Sequence, residues 1–154
     1  MRKRTINILS IVVIVLVIGI PSTIYLLGLN TSFQKVVLDR INVEDITSLY
    51  IIKDTSTGDI KSAVVTDKKE IKGIMNEFTN LKLKKSDSIT SLNDNYTIRA
   101  RVNGEPRFMI TIWSSTDITI FDKEAKDSAY DYKVTNKFDY ESLDKSLEKV
   151  LHQR

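Results

Sequence analysis

Cysteine is absent from this sequence and histidine nearly so. Without cysteine there is no disulfide, no thiol nucleophile and no lipobox for lipid attachment. The one histidine, His152, stands third from the end, which removes most histidine-based triads and zinc sites. The five glycines, Gly19, Gly28, Gly58, Gly73 and Gly104, are all isolated, so no glycine-rich loop is present to cradle a phosphate. Ser86-Asp87-Ser88 and Asn93-Asp94-Asn95 lack the spacing of a calcium loop. These absences together point away from cofactor and metal chemistry.

Charge is also missing over one long stretch: no charged residue lies between Arg4 and Lys35. Residues 6–29 are an apolar run, and as a helix they would be about 36 Å long. That exceeds a hydrocarbon core of about 30 Å. The run follows Arg2, Lys3 and Arg4, which by the positive-inside rule keeps the N-terminus in the cytoplasm and sends the rest outward. Phe33 is placed as an interfacial aromatic. A cleaved signal peptide is the competing reading, with residues 8–20 as its core and Pro21-Ser22-Thr23 as the break. Against it, apolar character resumes at Ile24, and no A-x-A pattern follows.

The formal charge of +3 belongs to the same flank. Of 23 basic side chains, Arg2, Lys3 and Arg4 are three, and the remaining 20 balance 20 acidic ones. The basic pI is therefore no argument for a nucleic-acid partner. Two glycosylation triplets, beginning at Asn30 and Asn95, matter only in a eukaryotic secretory host.

The expected domain organisation is a cytoplasmic tail (1–5), a transmembrane anchor (6–29), a stalk (30–44) with a short helix, since Phe33, Val36, Val37, Arg40 and Ile41 fall at helical spacing, and an extracytoplasmic domain (45–154). Residues 46–53 and 60–66 are rich in β-branched and aromatic side chains and flank a turn at 55–59, which reads as a hairpin. Asp67 is a helix N-cap with Glu70 three residues on, and Ile71, Ile74, Met75 and Phe78 follow at helical spacing. Residues 81–84 alternate like a short edge strand whose lysines oppose edge-to-edge pairing.

The clearest β signal surrounds Asn103-Gly104. Residues 96–102 and 107–113 both alternate, yet a plain two-residue turn would mix their apolar and basic faces. A three-residue turn with a glycine bulge repairs the register, setting Ile98, Ala100, Phe108 and Ile110 on one face. Two more strands follow at 117–122 and 130–134. Asp139 then caps a helix with a Leu143, Leu147, Val150, Leu151 stripe. The class is α+β: an antiparallel sheet of five or six strands in the order ββα-βββ(β)-α, with two helices on one face.

The candidate interaction face is Arg99, Arg101 and Arg107 with Met109, Trp113 and Phe121, opposite the core. Arginines beside exposed aromatics can bind carboxylate, phosphate or a partner's acidic strand. The competing reading is a solvated sheet face. A basic run of Lys68, Lys69, Lys72, Lys82, Lys84 and Lys85 is diluted by Asp67, Glu70 and Asp87. Among the acids, Asp117, Asp122, Asp127 and Asp131, no pair stands out as the two carboxylates of a glycosidase.

Asp45-Ile46-Thr47-Ser48, the run from Val65 to Ile71, Tyr96-Thr97-Ile98 and Tyr140-Glu141-Ser142-Leu143 give the layout a further meaning. It resembles small proteins of low-GC Gram-positive bacteria that carry one N-terminal anchor and an extracytoplasmic α+β domain. That family has no established activity, so the resemblance implies architecture and location only.

The function expected is a non-catalytic binding module at the cell membrane, an envelope accessory or immunity protein, with another envelope or membrane protein as partner and no cofactor. The alternatives are a small envelope hydrolase using carboxylates, which would need two acids converging with raised pKa values, or a secreted factor.

Overall fold

The computed structural model describes residues 29–89, 94–125 and 129–152. The chain divides into two compact units, Met1–Asn30 and Thr31–Arg154. The expected anchor falls almost wholly in 1–28, outside the described residues. Among the described residues no helix is long and apolar enough to cross a membrane.

The second unit is an α+β domain built on one eight-stranded sheet. Its elements run β1 (Asn30–Ser32), α1 (Phe33–Val36), β2 (Ile46–Asp54), β3 (Ile60–Val65), α2 (Lys68–Asn76) and β4 (Lys82–Ser86). There follow β5 (Asn95–Val102), β6 (Glu105–Ile112), β7 (Asp117–Asp122), β8 (Ala129–Val134) and α3 (Tyr140–His152). Spatially the strands lie β1-β4-β8-β7-β6-β5-β2-β3. The β2–β3, β2–β5, β5–β6, β6–β7, β7–β8 and β4–β8 pairs are all antiparallel.

The sheet is wider than the five or six strands expected, and a third helix is present. β4 is not an edge strand: it pairs with β8, and the three residues of β1 lie beyond it. Residues 30–44, read from sequence as a stalk, carry α1. Phe33 and Val37 are fully buried, and Phe33 stacks on Phe78 with ring centroids 4.9 Å apart. Phe33 thus lies in the core and not at an interface with lipid. The Ser32 hydroxyl caps α1 by accepting from the Lys35 amide, and the Phe33 amide donates to the Leu81 carbonyl.

Alternation along each strand puts one set of side chains inward, and these form a single core with both long helices. β2 contributes Leu49 and Ile51, β5 Ile98 and Ala100, β6 Phe108, Ile110 and Ile112. α2 buries Ile71, Ile74 and Met75; α3 buries Leu143, Leu147, Val150 and Leu151. Asp67 accepts from the Glu70 amide and Asp139 from the Ser142 amide, capping the two helices as the sequence indicates. α2 and α3 therefore cover one face, and among the described residues the other face carries no helix.

The β5–β6 hairpin has the expected apolar face but reaches it differently. Asn103 and Gly104 both have positive φ, 51° and 84°, which makes a two-residue turn with Val102 opposite Glu105. The extra residue sits two positions on, where the pairing jumps from Arg101–Pro106 to Ala100–Phe108. Arg107 is that unpaired residue. Proline has no amide hydrogen for the ladder, so Pro106 favours the irregularity beside itself.

Candidate functional site

The uncovered face of the sheet carries a groove of about 480 Å³. Its floor is one row of cross-strand partners: Val64, Tyr50, Arg99, Met109 and Phe121, from β3, β2, β5, β6 and β7 in turn. Arg101 stands next to Arg99 on the same face, and Lys123 closes the far end. Tyr50 is 37% exposed and Val64 43%, unusual for large apolar side chains in the middle of strands. The Arg99 guanidinium lies over the Tyr50 ring, 6.0 Å from its centroid.

The groove lining includes Arg99, Arg101, Arg107 and Lys123 and no acid. Among the described residues no carboxylate pairs with Arg99, Arg101 or Lys123. In a domain whose charges otherwise balance, this local excess of cations is a property of the site.

Of the six residues singled out from sequence, Arg99, Arg101, Arg107, Met109 and Phe121 line the groove. Arg107 does not join the exposed arginines as expected. The bulge that makes it the unpaired residue leaves it 9% exposed, with its guanidinium paired to Asp122 and Glu124. Asp122 is buried and also accepts from Arg40 Nη1 at 2.8 Å. Trp113 lies beyond a threonine row on the same face. Its indole N–H donates to Thr119 Oγ1 at 2.8 Å, and Thr119 donates to Asp131 at 2.7 Å.

Tyr50, Val64 and Lys123 were not anticipated. Tyr50 and Val64 sit at outward positions of alternating strands, a signal available in the sequence. Their place beside Arg99 required the β2–β5 pairing, which no turn announces.

The basic run is dispersed. Lys68 donates to the Glu44 and Ile46 carbonyls, Lys72 pairs with Glu44, and Lys85 lies over the Tyr130 ring. The loop acids are mostly accounted for as well. Asp117 pairs with Lys133, while Asp127 lies outside the described residues. Burial raises the Asp117 pKa, but the Lys133 ammonium and the Thr116 and Ser114 hydroxyls together hold it below the ordinary carboxylate value.

Two carboxylates do converge, on the helix-covered side where β5 meets α3. The Tyr96 hydroxyl lies 2.6 Å from Asp144 and 2.9 Å from Glu148, so one proton is shared between them. Lys53 donates to Glu148 at 2.5 Å, and this bond holds the Glu148 pKa down against the effect of burial. A carboxylate acid–base pair needs one member raised so that it can carry a proton. Glu148 is shifted the other way, and the cluster reads as a lock between sheet and helix. Among the described residues no three acidic or histidine side chains group to hold a metal.

The cluster sets an acid and an alkaline limit on stability. A group whose folded pKa lies below its unfolded value stabilises above the unfolded value and loses that contribution as pH falls through the folded one. For Glu148 and Asp117 the loss begins below about pH 5. Lys53 is raised despite its burial, chiefly by Glu148, so its contribution is whole below about pH 10 and fades above it. Urea midpoints measured across pH should therefore drop at both ends, and Glu148→Gln should weaken both limbs. An unchanged pH profile in that variant would contradict the assignment.

Set against known proteins, the chain matches no family model, no curated protein and no solved structure.

Proposed function

We propose that this protein is a non-catalytic binding module, held at the outer face of the cytoplasmic membrane by residues 6–29 and presenting its uncovered sheet face to another envelope protein. The observation that carries the reading is the groove: exposed apolar side chains interleaved with Arg99, Arg101 and Lys123, with which no acid pairs among the described residues. A face kept this way loses solubility and gains nothing for the fold, which is the usual mark of an interaction surface. The anchor reading rests on the uncharged run behind Arg2, Lys3 and Arg4. Accessory and self-immunity roles in the envelope both fit such a module.

A photo-crosslinking residue placed at Met109 in intact cells should trap one discrete partner, whereas the same residue at Lys145 on α3 should not. In the Arg99→Ala/Arg101→Ala variant the yield should fall at least fivefold while the melting temperature stays unchanged. Equal labelling from both positions, or no discrete partner trapped at Met109, would count against the groove as the interface. External protease should remove the domain from intact cells, and protection from it would refute the outward orientation.

A further inference from the structure

Resting on the proposal that this face is an interface, we infer that the groove takes an extended segment of a partner protein in which an acidic residue is flanked, two positions away on each side, by apolar ones. The order of side chains along the floor carries this. Val64 and Tyr50 form one apolar patch, Met109 and Phe121 another, and Arg99 stands between them. The midpoints of the two patches are three strand steps apart, about 14 Å at about 4.8 Å per step. In an extended peptide, residues i, i+2 and i+4 face the same way, and i to i+4 spans about 13 Å. An apolar–acid–apolar pattern at those positions sets its carboxylate over Arg99, with Arg101 beside it as a second donor.

The same arrangement disfavours other occupants. A second copy of this chain docking by the same face would bring its Arg99 and Arg101 against these. A single-chain anionic amphiphile carries its charge at one end, whereas the cation here sits midway between two apolar patches. A strand added to the free edge of β3 would run parallel to the strands and reach Val64 only, leaving Arg99 untouched.

The test uses the full-length chain in nanodiscs of zwitterionic lipid and a fluorescein-labelled peptide of sequence leucine-serine-glutamate-serine-leucine, followed by anisotropy. The peptide should bind, and replacing its glutamate by glutamine should weaken binding at least fivefold. Arg99→Ala should do the same and Arg99→Lys should weaken it less, while Lys149→Ala on α3 should have no effect. Melting curves of each variant confirm an intact fold. Equal binding of the glutamine peptide would overturn the inference. So would Arg99-dependent binding of monomeric dihexanoyl-phosphatidylglycerol with none of the peptide, which would assign the groove to lipid, and so would binding of neither probe. These failures differ from failure of the interface itself: a partner still crosslinked at Met109, with yield indifferent to Arg99, would sink the acidic segment alone. Loss of any crosslink at Met109 would sink the interface.

Discussion

Phe78→Ala should cost the domain about 3–5 kcal/mol, the range for truncating a buried aromatic. Phe78 is fully buried, stacked on Phe33 and 6.2 Å from the ring of Phe138. It ties α2's C-terminal side to α1 and to the segment leading into α3. A domain of this size has about 5–15 kcal/mol in total, so the variant should unfold at a urea concentration lower by one molar or more. Phe33→Ala is the informative companion. Were residues 30–44 a solvated stalk, removing Phe33 would leave the midpoint where it was; because Phe33 is in the core, the loss should approach that of Phe78→Ala. The two rings touch, so the double variant should lose less than the sum of the singles. A Phe33→Ala variant as stable as the parent would return the segment to a stalk.

Asp122→Ala is expected to cost on the order of 3 kcal/mol, by a different mechanism. Asp122 faces inward at the end of β7 and is 5% exposed. It accepts from Arg40 and from the Glu124 amide, and it faces the buried Arg107 guanidinium. Removing the carboxylate leaves Arg107 largely out of water, with only the solvent-exposed Glu124 to balance it. The penalty is that of an orphaned buried charge, and not the net worth of the ion pair. Adding Arg107→Met to Asp122→Leu removes both charges and should restore most of the loss. If the double variant is as unstable as Asp122→Ala, the buried charge is not the cause. Midpoints from urea unfolding decide between these outcomes.

What could be read from the sequence follows the range of the interactions involved. Asp67 with Glu70, and Asp139 with the Leu143 stripe, announce their helices because a cap and a periodic face are encoded within a few residues. The Asn103-Gly104 hairpin and its apolar face were legible for the same reason. The site of its bulge was not, because a glycine bulge in the turn and a bulge at Pro106–Arg107 repair the register equally well. That choice decides whether Arg107 is a surface arginine or a buried ion-pair partner. The helical spacing of Phe33, Val36 and Val37 was visible, but not that Phe33 and Val37 belong to the core, because their partner Phe78 is far off in sequence. The groove was half legible. Arg99, Arg101, Met109 and Phe121 share one meander, whereas Tyr50 and Val64 arrive through the non-local pairing of β2 with β5.

The order of the strands also bears on when the domain can form during synthesis. The last four strands, β5 to β8, are neighbours in sequence and in space. They sit in the middle of the sheet, flanked on one side by β2 and β3 and on the other by β1 and β4, all made earlier. β2 has no partner on its inner side until β5 exists, and β4 none until β8 does. The first-made strands therefore leave the ribosome as open edges and wait for the end of the chain. Local meander contacts form fast and long-range pairings slowly, so the late strands supply the template on which the early ones close. During that delay the unpaired edges are open to misassembly, and a chain of this topology has reason to depend on holding factors while it is being made.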